Sequence, residues 1–110
     1  MSSKMLVIIS TGEAEKALTG LMYATNAMRF GWMDEIKVII FGPAQQLILE
    51  DERVSTAVRA IADEEPPIAC KFISDRDGTS GKTEELGLRV EYVGQMISDF
   101  VKDGYIPMVF

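Results

Sequence analysis

The 110 residues contain no histidine and only one cysteine, one tryptophan and four prolines. Without histidine there is no Ser-His-Asp or Cys-His pair and no histidine-based metal site. Carboxylates alone could hold magnesium or calcium, but no loop has the alternating-acid spacing of a calcium loop, so no metal is expected. One cysteine cannot close an internal disulfide, and nothing points to an oxidising compartment. Long apolar runs are missing as well. Met5 to Ile9 is among the longest and is far too short to cross a bilayer. No cationic start with an apolar core and small-residue cleavage site appears, so no signal peptide is expected. Positive charge is the minority sign: 11 Lys and Arg stand against 17 Asp and Glu, a net charge of -6. That balance argues against a nucleic-acid or anionic-membrane partner, both of which favour basic patches. The expectation is a soluble cytoplasmic protein whose chemistry uses the thiol, carboxylates, lysines, hydroxyls or backbone amides. No cofactor is expected.

Apolar residues make up 47% and charged residues 25%, an ordinary globular balance, and the length suits one domain spanning residues 1–110. Met5 to Ile9 and Ile36 to Phe41 are continuous β-branched runs, as in parallel strands covered on both faces. Between them, Ala14, Ala17, Leu18, Leu21, Ala24, Thr25 and Met28 fall at helical spacing, and Gly31 stops that helix. Ser10-Thr11-Gly12-Glu13 supplies a capping hydroxyl, a glycine and an acid at its start. Gly42-Pro43 closes the second strand, and a short helical turn is expected over Gln45 to Leu49. Glu52 to Asp63 is a clearer helix, with Val54, Ala57, Val58 and Ile61 on one face; Glu50-Asp51-Glu52 complements its dipole. Pro66-Pro67 ends it. A short third strand from Pro67 to Cys70 follows.

After Gly78 a polar loop is expected, then a helical turn from Thr83 to Leu86 capped by Gly87. Leu88 to Tyr92 alternates apolar and polar, the mark of a half-exposed strand near an edge. Val93, Met96, Ile97, Phe100 and Val101 form the stripe of a last helix ended by Gly104. Tyr105 to Phe110 is the final strand, and Pro107, which cannot donate to a ladder, puts it at an edge. The seven methionines read as packing. Strands separated by helices imply right-handed βαβ crossovers and a three-layer α/β/α sandwich.

Cys70 is the first candidate for chemistry. It reads either as a small buried hydrophobe, sharing a strand face with Ile68 and Phe72, or as a reactive thiol. In the second case the strand stops near Cys70 and a short helix runs through Asp77 with Gly78 at its C-cap. The thiol then sits at a helix amino end, where backbone amides stabilise a thiolate. Lys71 and Arg76 add positive potential there, opposed by Asp75 and Asp77. Ser10-Thr11-Gly12 is a possible anion-binding turn at a helix start, or only a cap. Gly78 to Thr83 ends like a P-loop, but Arg76 stands where the leading glycine belongs, so a solvated loop is the simpler reading. Glu84 and Glu85 do not face one another on a helix.

The chain resembles the DsrE/DsrF-like family of small sulfur-relay proteins nearly end to end. The likeness lies in Ser10-Thr11-Gly12-Glu13 after the opening strand, Phe41-Gly42-Pro43 leading to Leu47-Ile48-Leu49, and Gly104-Tyr105 before the last strand. Its most specific part is Ala69-Cys70 with Gly78 eight residues on, then Glu85-Leu86-Gly87-Leu88. The resemblance implies a five-stranded parallel sheet of order 4-3-2-1-5 and assembly into a homo-oligomer, trimer or hexamer. It also implies that Cys70 accepts sulfur as a persulfide from a donor protein and gives it to an acceptor. Family members often carry small residues after the cysteine and some a second cysteine; here Lys71-Phe72-Ile73 follows and no second thiol exists. Two other readings stand beside the relay: a non-catalytic homo-oligomeric binding or regulatory module with an inert cysteine, and a nucleotide-binding protein using Ser10 to Glu13 or Gly81 to Thr83, for which no stabilisation by nucleotide is expected.

Overall fold

The computed structural model describes residues 2–110. Its elements, in order, are β1 (Lys4–Ile9), α1 (Ala14–Phe30), β2 (Glu35–Ile40), α2 (Ala44–Glu50), α3 (Glu52–Glu64), β3 (Ile68–Cys70), α4 (Lys71–Asp77), α5 (Ser80–Glu85), β4 (Arg89–Glu91), α6 (Val93–Lys102) and β5 (Ile106–Val109). All neighbouring strands pair in parallel, in the order β4-β3-β2-β1-β5. This is the order the family resemblance implies.

Alternation along each strand sorts the core into two clusters, because successive side chains of a strand point to opposite faces. Met5, Val7, Ile9, Ile36, Val38, Ile40 and Ala69 pack on the first face against Leu21 and Ala24 of α1, Ile48 of α2 and Val54, Val58 and Ile61 of α3. Leu6, Ile8, Ile39, Ile68 and Cys70 pack on the second face with Val93 and Tyr105, flanked by Met96, Ile97 and Phe100. Topology explains the division. Right-handed crossovers from β1 to β2, β3 and β4 all step in one direction and lay α1, α2, α3 and the end of α5 on one face, while Ile73 of α4 reaches the second cluster. The connection from β4 to β5 steps back past β1 and lays α6 on the other.

Most local expectations match. The first helix spans Ala14–Phe30, and Gly31 caps it at φ 66°, a left-handed conformation that needs no Cβ. The Asp51 side chain accepts from the Arg53 and Val54 amides and caps α3, which holds its carboxyl below the usual range, the Val54 bond first among the causes. β4 and β5 lie at the edges. Phe110 N donates to the Ile8 carbonyl, so, counting back two residues at a time, Pro107 turns its peptide nitrogen outward and breaks no ladder bond.

Four expectations are corrected. No hydroxyl of Ser10-Thr11-Gly12-Glu13 caps α1: Glu13 occupies the N-cap without a side-chain bond, and the Thr11 hydroxyl accepts from the Glu13 amide instead. The polar loop after Gly78 is shorter than expected, because α5 begins at Ser80; Thr83 bonds back to the Thr79 carbonyl through both its amide and its hydroxyl. Val101 is exposed rather than part of the α6 stripe. Met22 is also exposed, so not every methionine packs in the core.

Candidate functional site

β3 is only three residues long, and it ends where Cys70 becomes the N-cap of α4 at φ -69° and ψ 116°. Gly78, at φ 69°, closes that helix. The strand therefore stops at Cys70, as the reactive-thiol reading requires. Phe72 leaves the strand face and stands 65% exposed on the helix.

Cys70 itself lies at the carboxyl end of the sheet, in register with Glu91 of β4. After β3 the chain passes on the first face, where Leu86 at the end of α5 joins the core; after β4 it passes on the second, through Val93 of α6. Ligand sites of open α/β sheets form in the crevice where adjacent connections part in this way. Partners in a parallel ladder project to one face, so Glu91 lies on the same side of the sheet as Cys70. The Arg89 guanidinium, on the same strand, holds the Glu91 carboxylate.

The thiol is only slightly open to solvent. Cys70 is 6% exposed and belongs to the second-face cluster that also holds Leu6, Ile8, Ile39, Ile68, Val93 and Tyr105. Its side chain makes no hydrogen bond to the amides that open α4. The half of the expectation concerning those amides is thus met in position but not in contact.

Lys71 and Arg76 stand beside the site, each bound to a carboxylate. Lys71 Nζ lies 3.1 Å from Asp75 and 6.0 Å from the centre of the Tyr92 ring. Asp75 holds the lysine above its ordinary pKa, first through a hydrogen bond and then through its charge. Arg76 Nε lies 3.0 Å from Asp77, whose hydrogen bond and charge raise its pKa; a Cys70 thiolate contributes less than either. Both cations are therefore mostly spent on their acidic neighbours, the opposition already visible in the sequence. Next to them on α4, Ser74 is fully buried and its hydroxyl meets that of Ser80 at 2.7 Å. Ser80 in turn donates to Asp75, the largest cause of that carboxyl's lowered pKa.

The structure brings two residues to Cys70 that sequence reasoning missed. One is Glu91, which read only as the polar half of an edge alternation. The other is Gln45 of α2, 2% exposed, whose Nε2 donates to the Cys70 carbonyl at 3.0 Å. Neither carries a local signal, since each acts through a residue on another element.

The other candidate sites stay apart. In the turn after β1, the Ser10 and Thr11 amides both donate to the Phe110 carbonyl, at 2.7 and 3.2 Å, and the Glu13 amide donates to Thr11. The Ser10, Thr11 and Glu13 amides, three donors that an anion would need at this turn, are thus engaged within the chain. A cleft of about 300 Å³ lies there, lined by Ser10, Thr11, Lys16, Pro43, Val109 and Phe110. Lys82, at the end of the P-loop-like stretch, lines a separate cleft with Arg59, but Glu50 and Glu85 line it too. That mixture of signs is no phosphate cradle. Among the described residues no group of histidine, cysteine or acidic side chains has the arrangement of a metal site.

No family model matches the chain, and no curated protein matches it. Among solved structures it is similar to a conserved protein of unknown function, BT1422, from Bacteroides thetaiotaomicron. The two share 24% sequence identity and a TM-score of 0.85 over 97% of this chain and 95% of that one. That likeness shows a shared fold. Within the described residues no helix is long and apolar enough to cross a membrane.

Proposed function

We propose that this protein carries sulfur as a persulfide on Cys70 and passes it to an acceptor thiol, as the sulfur-relay family it resembles does. The observation that carries this reading is the position of Cys70: the carboxyl end of β3, the start of α4, and the crevice where the connections after β3 and β4 part. The strand order agrees with the resemblance.

In the loading step the Cys70 thiolate attacks the outer sulfur of a donor persulfide. A Cys70–sulfur bond forms, the donor's S–S bond breaks, and the donor leaves as a thiolate. In the transfer step an acceptor thiolate attacks the same outer sulfur, and Cys70 leaves as a thiolate. Each step exchanges one S–S bond for another, so no net oxidant or reductant is needed, and a single cysteine suffices. The donor and acceptor are proteins that supply the other thiols. A sheltered Cys70 keeps the carried sulfur from water and stray thiols, and movement of α6 or of the α4 turn admits a partner. Ile106 and Val109 on edge strand β5, with Phe30 at the end of α1 and Trp32 just after it, are large exposed apolar groups that suit a homo-oligomer, trimer or hexamer. The net charge of -6 fits a protein partner better than nucleic acid or an anionic membrane.

Intact mass after incubation with a cysteine desulfurase and cysteine tests the relay. Wild type should gain one sulfur and Cys70→Ser none; absence of any gain with every donor tried would reject it. A second reading has its own support. Cys70 is 6% exposed and part of an apolar cluster, which fits an inert thiol in a homo-oligomeric binding or regulatory module. In that case iodoacetamide reacts with Cys70 only as fast as the whole chain unfolds.

A further inference from the structure

Gln45 is a polar side chain in a position that an apolar one would fill. It lies in the first turn of α2 and is 2% exposed. Burying a carboxamide is costly unless both of its poles are bonded, and here both are. The Gly42 amide donates to Oε1 at 3.0 Å, and Nε2 donates to the Cys70 carbonyl at 3.0 Å. The orientation follows from the partners: a backbone N–H only donates and a carbonyl only accepts, so a flipped amide would oppose both.

Gly42 is itself fixed. It adopts φ +94°, and a Cβ there would come 3.1 Å from Ser10 Oγ. The Ala44 amide donates to the Ser10 carbonyl at 3.2 Å. The carboxyl ends of β1, β2 and β3 are therefore joined by one row of bonds that finishes at Cys70. Its last member is the carbonyl of an N-cap residue, which also accepts the first bond of the following helix. Holding that carbonyl fixes the plane of the peptide after Cys70, and with it the direction in which α4 leaves the strand.

We infer that Gln45 is a positioning residue for Cys70, acting through the Cys70 carbonyl to keep the thiol turned into the second face and sheltered there. The inference rests on the persulfide reading only for its purpose, which is to preserve a carried sulfur. Nothing in it requires Gln45 to touch the sulfur.

The experiment compares the folded full chain as wild type, Gln45→Met, Gln45→Glu and Val54→Ala. Val54 is fully buried on α3 in the first face, and its truncation serves as the destabilised control. Iodoacetamide alkylation of Cys70 is followed across pH beside the melting temperature of each protein. Gln45→Met should react about tenfold faster than wild type or more, because a local turn has been loosened. Val54→Ala should accelerate the reaction only as far as its loss of stability dictates. Gln45→Glu keeps the acceptor for Gly42 and loses the donor for Cys70. It should be fast at neutral pH and return toward wild type as acid restores a proton that can be donated. That return is what a residue acting only by filling space would not give.

The inference is overturned if Gln45→Met alkylates at the wild-type rate, or if it and Val54→Ala accelerate in proportion to their lost stability. Should Gln45→Met fail to fold, Gln45→Glu decides alone: a ratio to wild type that is independent of pH overturns the inference. Loading with inorganic polysulfide separates this from the function. Wild type that never gains sulfur ends the persulfide reading and leaves the alkylation result standing. Equal retention of loaded sulfur by wild type and Gln45→Met ends the positioning role and leaves the persulfide reading standing. The expected result is earlier loss of sulfur from Gln45→Met.

Discussion

The two faces of the sheet are unequal. On the first face α1, α2 and α3 bury large side chains of β1 and β2 together with Ala69 of β3, and Leu21, Ile48, Val54, Val58 and Ile61 are wholly closed to solvent. On the second, α6 is the chief cover, and its Met96, Ile97 and Phe100 are only half-buried. Cys70 belongs to the second. Opening costs less where fewer apolar contacts break, so a thiol under α6 can be reached through a local motion that leaves the first face intact. Had Cys70 occupied the place of Ala69, one residue earlier, it would face the thicker layer. Stability is concentrated on one side of the sheet and access to the thiol on the other.

The largest expected effect comes from breaking the thicker layer. Leu21→Ala should cost about 2–5 kcal/mol, read from urea unfolding with an unchanged slope. A cost below about 1 kcal/mol would show that the first face is not the seat of stability. Next comes Ile97→Ala on α6, which should cost about 1 kcal/mol in the same measurement. Its effect on Cys70 should be the greater one, an increase in alkylation rate of about tenfold at a urea concentration too low to unfold the chain. If Leu21→Ala speeds that reaction more than Ile97→Ala does after correction for stability, the contrast between the faces is wrong.

The faces should also respond to pH in opposite directions. Tyr105, in the second cluster, donates to Glu35 at 3.2 Å, and burial, then the charge of Glu35 and that hydrogen bond, raise its pKa above the usual 10.0. A raised value in the folded state means stability that is complete below pH 10.0 and lost as pH climbs through the folded value. Tyr105→Phe should give up the net worth of one hydrogen bond, about 1 kcal/mol at neutral pH, and then lose less than wild type in alkali. Equal alkaline slopes in the two proteins would rule this out. Asp51 works in the other sense. Its lowered pKa adds stability above the usual 3.8 that disappears as pH falls through the folded value. Asp51→Asn keeps an oxygen for the cap but removes the charge, so its melting temperature should vary less with acid than that of wild type. This is the smallest of the effects, and an unchanged acid slope would show that the cap of α3 owes nothing to ionisation.

Particular residues show how much of this could be read in advance. The first helix was legible to its ends, because Ala17, Leu21 and Ala24 repeat at helical spacing and Gly31 can take the left-handed turn. Pro107 identified an edge, and its outward-facing nitrogen bears that out. For Cys70 the sequence offered two readings, a strand running on through Phe72 or a helix from Cys70 to a cap at Gly78, and the structure shows the second. The start of α5 at Ser80 was not legible, since the residues that support it, Ser74 and Asp75, lie on the preceding helix. Gln45 and Glu91 were silent for the same reason. A glutamine after Gly42-Pro43 reads as an ordinary helix-turn residue until the Cys70 carbonyl, 25 residues on, is brought beneath it.

By itself the sequence determined most of where the chain is helical or extended and where those elements stop. These follow from periodicity and from the steric limits of glycine and proline, which act between near neighbours. Only the tertiary structure decided that Cys70 faces α6, that it lies almost wholly covered, and that Lys71 and Arg76 spend their charge on Asp75 and Asp77. Depth and partnership are set by segments far apart in the chain, and packing alone determines which of them meet.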